Sequence, residues 1–248
     1  MSKIPVNEFF DINKLPLEKG ILVFPISMSR ISTSQNAKSC WEHLRIFSPD
    51  KIIKPLVGLN IIYSDFLYLY SDEKASELKS KFSQLVINHK NEFNKIINKN
   101  KFYIQQAFSF TTWNQLYLEC KEFTSYFGDL KQIYRKDKKF QKYIQDDLKS
   151  AKKQKLDENQ LNFFLEEILM SYLITKGKVR LQNEFVRDQQ KWVLYCYPGK
   201  PLKSQIYLFQ QNFFKLNNPT NDYQAAFYDL EEKKLYDFNR VDLETIDL

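Results

Sequence analysis

Ser27 ends the run Gly20-Ile-Leu-Val-Phe-Pro-Ile-Ser27, an apolar stretch that passes into the polar Met-Ser-Arg30. A strand that stops on a hydroxyl at the C-terminal edge of an α/β sheet is a common way to present a nucleophile. Two later features could serve it: the carboxylate of Glu167 in Phe163-Phe-Leu-Glu-Glu167, and the phenol of Tyr197 in Trp192-Val-Leu-Tyr-Cys-Tyr197-Pro198-Gly199. Together they suit an acyl group that is already activated as an ester. The serine would take the acyl chain, the carboxylate would hold a substrate ammonium and the phenol would shuttle protons. Such a serine works without histidine when the leaving group or a substrate amine assists proton transfer. Each residue also has a structural reading: a strand-end serine bonded to a turn, a helix-surface charge and a buried aromatic.

Several other chemistries are excluded or unsupported. Only two histidines, His43 and His89, are present, and neither follows a strand as a triad base usually does. His89 falls on an apolar helical stripe, where a hydrogen-bonded structural role is expected. Five glycines and the absence of G-x-G-x-x-G and G-x-x-x-x-G-K-[ST] argue against a backbone phosphate cradle. Neither H-x-G-H nor K-M-S-K-S occurs, so amino-acid activation with ATP is not supported. Cys40, Cys120 and Cys196 have no C-x-x-C spacing, and Cys40-Trp-Glu-His43 is half a metal site at most. No cofactor and no metal are expected. The odd thiol count fits a reducing cytoplasm, the first residues lack a signal-peptide core, and no apolar run nears the ~18 residues of a membrane span.

The elements that must position the three residues follow from periodicity. Residues 20–27 read as a buried strand, 34–47 as a short helix and 59–69 as a second strand broken by Asp65, the opening of a parallel sheet. Leu78, Phe82, Leu85, Phe93, Ile96 and Ile97 predict one long amphipathic helix over 72–100, with Lys74, Lys81, Lys95 and Lys99 along a flank. A helical region of about fifty residues from Thr111 is predicted to break near Gly128. Lys131, Arg135, Lys138, Lys142, Lys149 and Lys153 recur there as either a second RNA contact or a solvated face. Residues 159–175 form another helix in which Glu166 or Glu167 must face inward, ended by Gly177. Residues 192–196 read as a strand and Pro198 to Pro201 as a turn, while 204–214 fit a helix or a strand.

The 248 residues, with 43% apolar and 16% aromatic content, suffice for one α/β domain. The net charge is +7, yet residues 222–248 carry eight acids against three bases, so the rest of the chain is more basic than the total. That favours a polyanionic partner, although a lysine-rich solvated surface reads the same way.

These motifs, in this order, resemble the tRNA-dependent cyclodipeptide synthases. The family pattern is a strand ending in a small residue, a branched residue and a nucleophilic serine, then a long basic helix, a helical Tyr-x-x-x-Glu, and Tyr-His or Tyr-Pro after a strand. Here Pro25-Ile-Ser27-Met-Ser, residues 72–100, Phe163-Phe-Leu-Glu-Glu167 and Tyr197-Pro198 stand at those places. Asn60-Ile-Ile-Tyr-Ser-Asp65 resembles the second strand, and Tyr134-Arg-Lys-Asp-Lys-Lys-Phe140 lies in what look like the middle helices. Tyr197-Pro198, with Arg30 three residues after the serine, looks like the subfamily named XYP.

The resemblance covers about residues 20–210 and implies a single Rossmann-like domain similar to class I tyrosyl- and tryptophanyl-tRNA synthetase catalytic domains. Its core would span about 20–210, followed by an acidic tail over 222–248. It implies a monomer whose partners are two aminoacyl-tRNAs, with Ser27, Glu167 and Tyr197 catalytic and Pro25, Arg30, Phe163 and Pro198 against the substrate. Lys74, Lys79, Lys81, Lys90, Lys95 and Lys99 would meet tRNA phosphates. Two departures stand out: Phe163 replaces the family's tyrosine, leaving Glu167 to hold the amino group, and Pro25 replaces its glycine.

Overall fold

Alternating burial along the strands builds the molecule around one sheet. In β1 (Gly20–Ser27), Leu22, Phe24 and Ile26 enter one apolar cluster while Val23 enters the other. β2 (Gly58–Ser64) repeats the alternation, with Leu59, Ile61 and Tyr63 on the first face and Ile62 on the second. A computed structural model describes residues 20–44, 58–65, 75–100, 108–150, 158–179, 192–216, 223–229 and 234–246. Its elements continue as α1 (Ala37–Leu44, between β1 and β2), α2 (Ala75–Asn100), β3 (Phe108–Thr112), α3 (Trp113–Glu119), α4 (Phe123–Lys136), α5 (Lys138–Ser150), α6 (Glu158–Thr175), β4 (Trp192–Pro198), α7 (Lys203–Gln211), β5 (Tyr223–Asp229) and β6 (Lys234–Asp237).

The six strands lie in the order β3-β2-β1-β4-β5-β6. All neighbours are parallel except the β5–β6 pair. This is the doubly wound order, whose direction reverses between β1 and β4; ligands in such sheets bind in the crevice outside the strand C-termini at that reversal. The α/β class and mainly parallel sheet expected from the sequence are therefore present. α1 and α2 cover one face through Cys40, Trp41, Leu44, Val86 and Phe93. α3 to α7 cover the other through Trp113, Leu130, Phe140, Leu169 and Leu208.

Four boundaries differ from expectation. The first helix begins at Ala37 rather than at 34, with 45–47 outside the described residues, and β2 ends at Ser64, with 66–69 outside them. Asp65 then accepts the Asn114 N–H at 3.0 Å, tying the end of β2 to the start of α3. Gly128 does not break the helix: it is exposed, a Cβ there would meet nothing within 4 Å, and buried Phe123 and Leu130 hold α4 across it. A glycine costs only about 1 kcal/mol in a helix, less than that packing supplies. The region breaks instead at 120–122, between α3 and α4, and at Asp137, whose N–H closes α4 on the Ile133 carbonyl at 2.8 Å and whose Oδ1 caps α5 at the Phe140 N–H at 2.8 Å. The ambiguous stretch after Pro201 is α7, stopped by Asn212 at φ 48°.

The acidic segment expected as a tail is built into the fold, because Ala225, Ala226 and Phe227 of β5 are fully buried in the sheet. Beyond β6, Glu244 accepts the Tyr143 hydroxyl at 2.7 Å and pairs with Lys142 at 3.2 Å and Lys139 at 3.4 Å on α5. Part of the Lys131–Lys153 face is thus answered within the chain. Lys153 lies outside the described residues.

Candidate active site

Pro25 shapes the reversal point. β1 stays in register with β2 as far as Ser27↔Ser64, but its pairing with β4 runs only from Gly20↔Trp192 to Val23↔Tyr195. In a parallel strand, alternate residues aim their N–H at the same neighbour. Ser27 aims its N–H towards β4, so Pro25, two residues earlier, places its donor-less nitrogen on that side. The ladder cannot continue there, and the strands part above it.

The side-chain amide of Gln35 fills the gap. Its Oε1 accepts the Ser27 N–H at 2.6 Å, and its Nε2 donates to the Pro198 carbonyl at 2.7 Å. Half-buried Ser27 lies at the mouth, its Oγ 2.9 Å from the Ser29 Oγ. The Ser27 carbonyl accepts the Arg30 N–H at 3.0 Å, closing the turn. Arg30 in turn reaches across to β4: its Nη1 is 3.4 Å from the Lys200 carbonyl and its guanidinium stands 6.0 Å from the Tyr197 ring centre. Gly199, at φ 118°, sends its N–H to the Tyr228 carbonyl at 2.8 Å, which a residue with a Cβ would do under strain.

Parity brings Tyr197 to the same face as Ser27. Val23 and Tyr195 both enter the α3–α7 cluster, so Pro25 and Ser27, and likewise Tyr197, project to that side. Burial raises the Tyr197 phenol pKa and the Glu167 charge adds to this, while the Arg30 charge and hydrogen bonding to Gln35 and Ser27 pull it down; the net direction is up. A neutral phenol with a proton to give therefore stands at the serine.

Glu167 comes from α6 by helical spacing. Phe163, Glu167 and Ser171 share a stripe four residues apart, and Ser171 accepts the Tyr195 hydroxyl at 3.2 Å. The Gln205 amide supports that hydroxyl at 3.3 Å. One turn back, the Glu167 charge acts on both Tyr195 and Tyr197. Another turn back, half-buried Phe163 packs on Phe164 with ring centres 5.7 Å apart. The inward glutamate is Glu166, at 0% exposure, whereas Glu167 is half-buried. The structure thus brings Ser27, Arg30, Tyr197 and Pro198 together at the end of the β1–β4 pairing, with Pro25 two residues below Ser27; the Glu167 charge reaches Tyr197 from α6, and Phe163 lies on the stripe that carries Glu167.

The lysines of α2 are less uniform than their sequence spacing implies. At about 100° per residue, Lys81, Lys95 and Lys99 fall within about 40° of one another, with Lys79 and Lys90 on the opposite flank of the buried stripe. Lys79, Lys81, Lys95 and Lys99 are exposed. Lys90 is half-buried, its Nζ 5.3 Å from the centre of the Phe110 ring. Lys74 lies outside the described residues.

Sequence reading missed Gln35 and the Tyr195–Ser171–Gln205 set. Gln35 sits in a polar stretch without periodicity, and its only signal is its place in the turn after Ser27. The structural role expected of His89 is present: it is 4% exposed and holds the Tyr63 hydroxyl at 2.9 Å and the Gln35 carbonyl at 3.1 Å. His43 is 3% exposed, packed between Phe24 at 6.0 Å and Tyr228 at 5.3 Å. No group of three or more His, Cys, Asp or Glu able to hold a metal occurs among the described residues, nor does a helix long and apolar enough to cross a membrane.

Burial lowers the pKa of both imidazoles from 6.5 to about 4. Below pH 6.5 the unfolded chain takes up protons that the fold refuses, so their contribution to stability is lost as pH falls from 6.5 towards 4. Asp147, pushed up to about 6 by burial, acts in the opposite sense. The difference between variants therefore isolates the histidine share. Between those pH values His43→Phe is expected to lose about 2 kcal/mol less stability than the parent, read from denaturant midpoints. Parallel pH profiles would refute it.

No protein-family model matches the chain, and no curated protein matches it in sequence. Solved structures do match. A cyclodipeptide synthase from Fluoribacter dumoffii aligns with a TM-score of 0.52 over 88% of this chain and 93% of its own, at 13% identity. One from Staphylococcus haemolyticus aligns at 0.53 over 84% and 89%, with 10% identity. The fold is that of the cyclodipeptide synthases. A third, from Bacillus thermoamylovorans, aligns at 0.51 over 90% and 93%, with 15% identity. A cyclodipeptide synthase fold at such low identity carries architecture, so the chemistry must be argued from the crevice itself.

Proposed function

We propose that this protein is an aminoacyltransferase that joins two amino acids from two aminoacyl-tRNAs into a diketopiperazine. The observation that carries this is the convergence of Ser27, Tyr197 and Glu167 at the β1–β4 reversal point. In the first step the Ser27 Oγ attacks the ester carbonyl of one aminoacyl-tRNA; the ribose oxygen leaves with a proton and an aminoacyl-serine remains. Its free amine attacks the ester of the second aminoacyl-tRNA; the ribose oxygen of that tRNA leaves with the amine's proton, and a dipeptidyl-serine remains. The terminal amine then attacks the serine ester, forming the second amide and releasing Ser27. Each amide replaces an ester, so no ATP is consumed.

Glu167 holds the substrate ammonium and Tyr197 relays protons among serine, leaving ribose and amine. Phe163 offers only a ring where the family pattern has a hydroxyl, so Glu167 carries the amino-group contact. Arg30 beside Tyr197-Pro198 favours the XYP pattern. Residues 1–248 are proposed to work as one cytoplasmic catalytic domain and as a monomer.

The lysines of α2 hold the tRNA through its phosphates. Replacing Lys81, Lys95 and Lys99 together by Gln is expected to flatten the log-affinity against log-salt slope by about 2 to 3, near 0.7–0.9 per lost phosphate contact. An unchanged slope would move the tRNA elsewhere. A second reading, a non-catalytic RNA-binding protein on the same fold, is favoured by Phe163 and Pro25. It predicts equal affinity for charged and uncharged tRNA and no acyl transfer. The deciding experiment is expression in a bacterial host beside Ser27→Ala, with mass spectrometry of both media. A diketopiperazine with the parent alone supports the transferase; none from either supports the RNA binder.

A further inference from the structure

We propose that Gln35 is the positioning residue of Ser27, and that His89 on α2 locks it in place. The inference rests on the reading of Ser27 as acyl acceptor. Pro25 ends the β1–β4 ladder two residues before Ser27, so no backbone bond fixes the serine against β4. The Gln35 amide makes that connection, with Oε1 on the Ser27 N–H at 2.6 Å and Nε2 on the Pro198 carbonyl at 2.7 Å. One side chain thus sets the distance between the strand end bearing Ser27 and the strand end bearing Tyr197.

Gln35 is fully buried, and every polar group on it has a partner. Its N–H donates to the Arg30 carbonyl at 2.9 Å. Its carbonyl accepts from the Cys40 thiol at 3.2 Å and from the His89 Nε2 at 3.1 Å. A carbonyl only accepts, so His89 carries its proton on Nε2 and its Nδ1 accepts the Tyr63 hydroxyl at 2.9 Å. The imidazole therefore has one tautomer and one orientation, and the Gln35 backbone has no alternative partner to turn to. Two consequences follow. The Ser27 N–H is committed to Gln35 and is withheld from any substrate oxygen. And α2, the helix proposed to meet tRNA on its outer side, fixes through His89 where the nucleophile stands.

A misplacement of about 1 Å at a reacting centre costs about 100-fold in rate. Gln35→Met keeps the shape and removes the bonds to Ser27 and Pro198 together with the one to the Tyr197 phenol; it is therefore expected to lower the single-turnover rate of acyl transfer to Ser27 about 100-fold, and the Ser27 amide exchange below isolates the share that belongs to Ser27. Half-saturation by aminoacyl-tRNA should stay within twofold, because the lysine contacts are untouched. Ser27 amide hydrogen exchange, measured without substrate, should accelerate at least tenfold. Should Gln35→Met not fold, Gln35→Glu decides. It keeps the acceptor for the Ser27 N–H and sets a carboxylate oxygen against the Pro198 carbonyl, so Ser27 stays protected while acyl transfer falls about tenfold. Transfer within twofold of the parent in the folded variant, or unchanged Ser27 exchange in Gln35→Met, overturns the proposal. A parent protein that takes up no acyl group overturns the acyl-enzyme reading instead, and the exchange measurement still decides whether Gln35 holds Ser27.

Discussion

Ser27→Ala is expected to reduce diketopiperazine formation by at least ~10⁴-fold, the scale on which loss of a covalent nucleophile acts. The substitution removes one hydroxyl whose neighbour is the Ser29 Oγ at 2.9 Å, and it leaves intact the Ser27 N–H bond to Gln35 and the turn bond to Arg30. Stability should therefore change by less than about 1 kcal/mol. Affinity for aminoacyl-tRNA should be retained, since the proposed contacts lie on α2. Ser29 is the internal control: its hydroxyl stands beside the nucleophile, but the residue is exposed in the turn and outside the strand that aims Ser27 into the crevice. Ser29→Ala should keep most of the activity. Residual product from Ser27→Ala, together with an acyl adduct on Ser29, would exchange the roles of the two serines.

The second large effect is expected from Tyr197→Phe, a fall of about 10²- to 10³-fold in turnover, within the usual range for a positioned acid–base group. The phenol is suited to this role because burial raises its pKa and Glu167 adds to the rise, against the Arg30 charge and hydrogen bonding to Gln35 and Ser27. It stays neutral at physiological pH and can both give and receive a proton beside the serine. Phenylalanine keeps the ring under Arg30 and loses only the hydroxyl. If the relay serves ring closure, dipeptidyl-serine should accumulate on the variant and be visible by intact mass. If it serves loading, no acyl-enzyme should build up. A variant with parental turnover would remove Tyr197 from the chemistry.

The strands and the long helices were legible because burial imposes period: β1 reads as a continuous apolar run, and α2 shows apolar residues three and four apart. The parallel-sheet opening followed from the strand–helix–strand order, while the Rossmann-like class came from the family resemblance. Less legible were boundaries set by single polar contacts. Asp137 separates α4 from α5 by accepting one backbone N–H, while Gly128, the expected breaker, is held within α4 by Phe123 and Leu130. The acidic composition of 222–248 suggested a tail because charge was counted without alternation; Ala225 to Phe227 are buried all the same, as befits a strand covered on both faces.

In the site, Ser27 and Tyr197 were readable as residues at strand ends. That they meet depends on strand order, which no local pattern encodes. Periodicity left open which of Glu166 and Glu167 faces inward; Glu166 is the one fully buried, and Glu167 lies on the stripe of Ser171. Gln35 was invisible because its role depends on a missing N–H at Pro25, which the resemblance placed only against the substrate.

The central claim is that Ser27 accepts an acyl group from tRNA. The most direct test is to incubate the purified protein with labelled aminoacyl-tRNA, quench in acid and map the adduct by mass spectrometry of peptides. The account predicts a base-labile addition of one aminoacyl unit on Ser27, absent from Ser27→Ala. A protein that binds aminoacyl-tRNA yet carries no label, or carries it on another residue, would contradict it.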